Sequence, residues 1–436
     1  MRRLLLGVGA CLLVAASSGC SEPTEPAPEP VQPATYHRDI APLVQEKCGG
    51  CHVQDGIAPF SLQSYAEVFP MRRAVEAAVK SRSMPPWMAA EGCTDYLHDR
   101  SLSDEQIALI SRWVEEGGAE GDPADAPPAL TGPGQSGLAR VDLELAMPVE
   151  YTPTQSPDEY RCFILDWPEQ EVRYVSGFKG NPGRDAIVHH VIAFLAKPSQ
   201  VATFQALDDA EPGPGYTCFG GPGGNARNAT WLGSWVPGNN GTNYPAGTGI
   251  RVEPGSKVVL QIHYNLSSAV SAVDRTTIAM SLESSVQKVA IMQPWANPLW
   301  LDPRGGGMPI PAGQSDVRHR FSFDMSPVLS NVTGGVFRNS EPFTVHGAAM
   351  HMHTLGSWGR LEIERKAGAA ECMLDIPRWD FHWQGNYAFT QPKVVNPGDR
   401  MALECHWDNS QLGAKDVNWG EGTEDEMCLG VFYMTQ

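Results

Sequence analysis

Basic residues are scarce in this chain, where 32 Lys and Arg stand against 50 Asp and Glu for a formal charge of −18. The imbalance argues against nucleic acid or anionic lipid as a partner, because both are bound largely through Lys and Arg. Charged residues of either sign make up only 19% of the 436 positions, while Gly (44) and Pro (36) are plentiful. That balance suits short strands joined by many turns better than a helical protein. Past the N-terminus no apolar run is long enough to cross a bilayer. No short-period internal repeat is visible, which sets aside repeat architectures.

The N-terminus has the look of an export signal: Arg2 and Arg3, the apolar run Leu4 to Ala16, then Ser17, Ser18 and Gly19 before Cys20. A cysteine in that place resembles a bacterial lipoprotein cleavage site, with Cys20 becoming the lipidated first residue. Ser17 departs from the large aliphatic residue usual there, and ordinary cleavage nearby is the alternative. Export places the mature chain on the periplasmic or cell-surface side, where cysteines pair. Ser21 after Cys20 favours the outer membrane in a Gram-negative cell. The expected order is a signal at 1–20, a Pro/Glu-rich tether at 21–35, a small all-α domain at 36–121 and a linker at 122–140. Two tandem β-sandwiches at 141–283 and 284–436 complete it. Helical patterns cover Asp39 to Lys47, Tyr65 to Arg82 and Ser103 to Glu116, the last opened by an N-cap in Ser101-Leu-Ser103-Asp-Glu-Gln. Beyond the linker, alternating runs such as Lys257 to Tyr264 and Thr277 to Leu282 read as strands.

Within the helical part, Cys48-Gly-Gly-Cys51-His52 is a C-x-x-C-H motif. A bare C-x-x-C suits a redox disulfide or half a zinc site. The following His and the helical surroundings favour one covalently bound haem c, with thioethers from Cys48 and Cys51 and His52 on iron. The sixth ligand is expected to be Met84, held in a loop beside two prolines, with Met88 and Met71 as further candidates. His98 would give a bis-His haem, though its polar surroundings read as a solvated loop.

Three histidine groups stand out in the β region: His189-His190, His263 and His351-Met-His353. Residues two apart on a strand share a face, so His351 and His353 form a ready pair. Adjacent residues do not, and His189 with His190 can reach one ion only where the strand bulges or ends. Neutral imidazole suits copper, zinc and iron, so these residues alone do not choose the metal. A thioether would, and Met427 in Asp425-Glu-Met-Cys428 offers one.

A His-His pair, a His preceded by Gln-x, an H-x-H pair and a late Met-Cys occur here in the order found in the copper type II, ascorbate-dependent monooxygenases. Over roughly Tyr151 to Gln436 the chain resembles that family. The resemblance implies two tandem jelly-roll sandwiches and two copper ions, far apart across an open cleft. His189, His190 and His263 would hold the electron-transfer copper; His351, His353 and Met427 would hold the copper that binds O2 and carries the catalytic step. It also implies disulfides Cys405–Cys428 and Cys162–Cys218. Cys93 and Cys372 are then left over, either bridging the helical module to the second sandwich or staying free.

The implied activity is hydroxylation of a C–H bond of a small organic molecule with O2. Electrons would come from an external reductant, ascorbate-like or a periplasmic redox protein, and the haem offers a built-in route to the three-histidine copper. Members acting on peptidylglycine carry an Arg two residues before H-x-H and a Tyr four after the Met. Ala349 and Val431 occupy those positions here, which argues against that substrate. Trp379, Phe381, His382 and Trp383 are candidates to line an apolar cleft or to be core; His346 and His406 read as structural. The competing classes are a non-catalytic periplasmic haem and copper electron-transfer or copper-binding protein, and a zinc or iron hydrolase. An open His2Met copper matters mainly where oxygen must bind, which argues against the first class, and a soft Met ligand has no evident use in the second.

Overall fold

Alternation of apolar and polar residues does most to shape this protein, since it decides which face of each strand is buried. The computed structural model describes residues 32–436 apart from 55–57, 129–136, 219–220, 224–229, 237–238, 240, 267–269, 302–305, 421 and 423. The expected export signal, with Cys20, and most of the tether lie outside the described residues. Ala34–Gln436 form one compact unit. Among the described residues no helix is long and apolar enough to cross a membrane.

The N-terminal part of that unit is helical. Wide π-type turns over Tyr36–Ile40 and Val44–Cys48 flank Ala41–Leu43, and longer helices follow at Tyr65–Lys80 and Asp104–Glu115. The last starts at a capping box in which Ser103 Oγ accepts from Gln106 N while Gln106 Oε1 accepts from Ser103 N. It ends before Gly117 and Gly118, both at positive φ, as glycine after a helix permits. Tyr36, Ile40, Val68, Val79, Ile110 and Trp113 bury against one another as the helices' own small core.

The remainder is mostly strand: β1 (Leu143–Ala146), β2 (Asp158–Asp166), β3 (Arg173–Asn181), β4 (Val188–Ala196), β5 (Tyr216–Thr217), β6 (Thr230–Trp235), β7 (Thr242–Asn243), β8 (Thr248–Val252) and β9 (Lys257–Asn265). Then come β10 (Thr277–Glu283), β11 (Lys288–Trp295), β12 (Gln314–Phe323), β13 (Phe343–His351), β14 (Gly356–Glu364), β15 (Glu371–Ile376), β16 (Asn386–Val395), β17 (Arg400–Asn409) and β18 (Leu429–Thr435).

Among the described residues these strands form a nine-stranded sheet in the order β1-β10-β3-β8-β11-β18-β13-β16, with β7 on β3. A five-stranded sheet, β5-β2-β9-β4-β6, and a four-stranded sheet, β12-β17-β14-β15, accompany it. Phe163, Val191, Leu260 and Ile262 of the five-stranded sheet share a core with Val175, Phe178, Ile250 and Ile278 of the large sheet's first half. Leu361, Leu374, Leu403 and Trp407 of the four-stranded sheet share another with Ile291, Val345, Phe389 and Phe432 of its second half. The architecture is thus compatible with two β-sandwiches, but their inner sheets are one. The join is a parallel pairing of β8 with β11, a departure from wholly antiparallel sandwiches. Its cause is the path: after β8 the chain leaves for β9 in the other sheet, returns as β10 and re-enters beside β8 in the same direction.

Three disulfides form, Cys162–Cys218, Cys405–Cys428 and Cys93–Cys372, with Cα separations of 5.9, 5.9 and 5.3 Å. The first two are the pairs the resemblance implied. The third ties the arm after the Tyr65–Lys80 helix to β15, the bridge that the two leftover cysteines left open. The arm adds hydrogen bonds from Ala90 N to Asp375 O, Leu97 N to Ala388 O and Thr390 N to Asp95 O.

Candidate metal centres

On β9 the side chains of Val258, Leu260 and Ile262 enter the sandwich core, which turns His263 to the opposite face of the sheet. On β4, Val191 and Ala193 do the same, and His190 faces away beside its cross-strand partner His263. The ladder slips between Val188 and His190, so His189 is the extra residue of a bulge. That slip supplies the irregularity which adjacent histidines need to reach one ion.

His189, His190 and His263 offer ligand atoms all within 4.8 Å of one another. His190 Nδ1 lies 3.4 Å from the Nδ1 of His189 and 3.4 Å from that of His263. Two imidazole nitrogens about 2.0 Å from a shared ion at a tetrahedral angle stand roughly 3.3 Å apart, so the spacing fits a metal. His263 Nε2 donates to Asp158 Oδ1 at 2.9 Å, which leaves Nδ1 as the lone-pair nitrogen. Tyr160 stacks on His263 with ring centroids 4.0 Å apart and planes within 9°. The His189 Nε2 atom is buried without a hydrogen-bond partner. Burial is the leading reason that the pKa values of all three fall below the ordinary range, His189 to about 3, so all are neutral ligands at pH 7.

The second group grows from β13, where Met350 enters the core and Ala349 and His351 take the other face. His353 lies just past the strand's end. His351 Nδ1 donates to Gln384 Oε1 at 2.6 Å and His353 Nδ1 donates to Asp425 O at 2.9 Å. Each ring is thereby left with Nε2 as the lone-pair nitrogen. Burial, followed for His351 by His353, lowers these pKa values to about 3 and about 4. The backbone is braced from beneath by Glu426, which is fully buried and accepts from His353 N (2.8 Å), Leu355 N (2.6 Å) and Trp407 Nε1 (2.9 Å). Met427 follows directly, and Cys428 anchors that turn to β17 through its disulfide.

His190, His351, His353 and Met427 line one cavity of about 510 Å³. Between the histidine groups stands Phe381, stacked on His189 at 4.8 Å between centroids and edge-on to His353 at 5.9 Å. The five-stranded sheet carries the first group and β13 of the large sheet the second, and residues of both groups open onto this cavity.

In the helical part, Cys48 and Cys51 are the free cysteines among the described residues. Burial, then the neighbouring Cys51, raises the Cys48 thiol to about 11. Cys51 N and His52 N both donate to Cys48 O, and His52 Nδ1 donates to Phe60 O at 3.0 Å, leaving Nε2 for a ligand. Two unbridged thiols and an oriented imidazole in one turn fit a covalently attached haem. Of the methionines considered, Met84 is half-buried, Met71 packs in the same small core as Cys48, and the Met88 sulfur accepts from Asp380 N at 3.1 Å. His98 is exposed at positive φ, as a solvated loop residue would be.

Residues 331–435 match the family model described as copper type II ascorbate-dependent monooxygenase, C-terminal domain. That match supports the family and spans His351, His353 and Met427, while the first histidine group lies outside it. The match suggests a copper-dependent, ascorbate-using monooxygenase-like function, with O2 and a small-molecule substrate. Among solved structures the chain is similar to a Paenibacillus xanthan lyase at 10% identity and a TM-score of 0.15, covering 72% of this chain and 27% of that one. A likeness that weak carries no argument.

Sequence reasoning missed Asp158, Gln384, Glu426 and Tyr160. Only Glu426 left a trace, as an acidic residue at the edge of the apolar run that becomes β18. His346, bonded to Thr435 Oγ1 at 2.8 Å, and His406, between Asp316 and Glu404, sit among structural partners. Trp379 donates to His353 O at 3.0 Å, so the aromatic cluster serves core and site together.

Proposed function

We propose that this chain is an exported copper monooxygenase with a c-type cytochrome on its N-terminal side, tethered by a lipid at Cys20. What carries the reading is the single cavity onto which His190, His351, His353 and Met427 all open. A carrier of electrons or copper has no use for such a space. In the overall reaction one oxygen atom of O2 becomes the hydroxyl of a former C–H bond and the other leaves as water. The reductant, ascorbate or a redox protein, supplies two electrons and two protons.

When bound, copper at the two histidine groups supplies oxygen activation and electron storage, and haem c at Cys48, Cys51, His52 and Met84 supplies one-electron transfer. The chain's own residues do the rest. Asp158, Gln384 and the Asp425 carbonyl fix which ring nitrogen keeps its lone pair, and burial keeps every imidazole neutral. The Met427 thioether favours a soft, reduced metal. The apolar cavity walls give a substrate's hydrocarbon body a place to leave water, and Phe381 packs against His189 beside them.

Elemental analysis of protein made in a haem-competent periplasm tests this, alongside Met427→Ala. The expected result is one iron and two coppers per chain, with one copper lost or weakened in the variant. Oxygen uptake must also depend on an organic substrate. Zinc in place of copper, or occupancy indifferent to Met427, would sink the reading.

A further inference from the structure

The described residues of the cavity wall are neutral groups. From β4 and β6 come Ile192, Phe194, Trp231 and Trp235; Pro294, Ala296, Pro298 and Leu301 follow from β11 and the segment after it. Among the described residues that line it, none is Asp, Glu, Lys or Arg. Nearest the second histidine group, Ala349 and Val431 are direct cross-strand partners on β13 and β18, with Leu429 opposite His351. The surface beside the reacting position is therefore aliphatic. Among the described lining residues polar capacity is confined to uncharged groups, chiefly Ser234, Asn386 and the Gln293 amide oxygen, the Gln293 Nε2 being bonded to Pro294 O at 2.9 Å. The Gln261 amide, also on the wall, is already committed to Cys218 O at 3.0 Å. At about 510 Å³ the space falls within the range of about 300–1,000 Å³ typical of small-molecule sites.

In the metal-free protein an ionic group entering this cavity would give up its water with no charged side chain among the described lining residues to meet it, a large penalty for any carboxylate or ammonium. A hydrocarbon or aryl body, by contrast, gains from leaving water, and a hydroxyl or carbonyl on it can be met by an amide or by Ser234. We infer that the substrate is an uncharged, predominantly apolar organic molecule bearing at most neutral polar groups, its reacting carbon beside Ala349, Val431 and His351. This rests on the monooxygenase reading for the word substrate. The binding preference itself follows from the wall alone.

The experiment measures binding without turnover. Metal-free and copper-loaded protein would each be titrated anaerobically with 4-phenyl-1-butanol, 4-phenylbutyrate and 4-phenylbutylamine, probes of one shape and three charges. Fluorescence of the wall tryptophans and calorimetry report the affinity. The neutral alcohol should bind at least about 10-fold more tightly than either ion, equivalent to about 1.4 kcal/mol. Ala349→Arg should weaken the alcohol and reverse the order in favour of the carboxylate, which locates the binding in this cavity. Equal or tighter binding of a charged probe to the metal-free, unaltered protein, or no saturable binding of the alcohol, overturns the inference; a gain for the carboxylate or amine only when copper is loaded reports the metal rather than the wall. Because no oxygen is consumed, a failed hydroxylation assay would leave this result standing, and the two readings fail separately.

Discussion

The Phe381 ring lies against the His189 imidazole with centroids 4.8 Å apart and planes 20° from parallel, while its edge meets His353. One phenyl group therefore touches both histidine groups. Its loop is fastened at both ends. Gln384 Nε2 donates to Phe381 O at 3.0 Å, and Arg378 donates to Arg82 O at 2.8 Å in the helical part.

From that position Phe381 is expected to keep oxygen consumption coupled to product. Phe381→Leu removes the flat face while keeping apolar bulk, so product formed per O2 consumed should fall with copper content unchanged. Phe381→Ala should in addition cost roughly 3 kcal/mol of stability, the low end for a buried phenyl group. Parallel assays of oxygen uptake and product test this. Unchanged coupling in the leucine variant would remove Phe381 from the mechanism and leave it as packing.

Asp158 and Gln384 orient one imidazole in each group, and the two predictions are reciprocal. Asp158→Ala frees the His263 ring and should weaken copper at the first group about 10–100-fold, the usual effect of losing such a partner. Gln384→Leu should do the same at His351. Competitive copper titration separates the sites, because each variant should alter one of two binding phases. A change in both phases from either substitution would point to a general structural effect.

Several of these features could be read from the chain alone. Adjacent histidines can share one ion only where the strand bulges or ends, and β4 has a bulge at His189. Ser101-Leu-Ser103-Asp-Glu-Gln announced an N-cap, and two of the three cysteine pairs were implied by the family resemblance. The partners Asp158 and Gln384 could not be read, because each meets its histidine only through a strand register or a loop path set by distant packing. The parallel β8–β11 pairing is of the same kind. It depends on where β9 and β10 go, and no local pattern records that.

Glu426 should matter strongly for stability through the donors it satisfies. It is fully buried, and burial raises its pKa to about 7 despite three strong donors. Removing the carboxylate in Glu426→Ala strands the N–H groups of His353, Leu355 and the Trp407 indole, each costing about 1–3 kcal/mol when buried unpaired. A loss of about 3 kcal/mol or more is expected from denaturant unfolding of the metal-free protein. Glu426→Gln keeps one acceptor and should fall between. Near-neutral behaviour of the alanine variant would mean that water replaces the carboxylate.

The Cys93–Cys372 bridge joins residues 279 positions apart, so it constrains the unfolded chain strongly. Chain-entropy reasoning puts its contribution at up to about 5 kcal/mol, and the arm's backbone bonds to Asp375 and Ala388 remain when it is absent. The Cys93→Ser, Cys372→Ser double variant should therefore still fold but open locally. Residues 84–97 should become sensitive to protease before the β-sheets do, since they are held by separate bonds and ring contacts rather than by a strand ladder. The same opening would release Arg378 and Asp380 from their partners in the helical part, and with them the loop that carries Phe381. Weaker coupling of oxygen uptake in this variant, matching Phe381→Leu, would show that the helical part positions the cavity loop. Normal coupling with an open arm would show that the loop holds its place unaided.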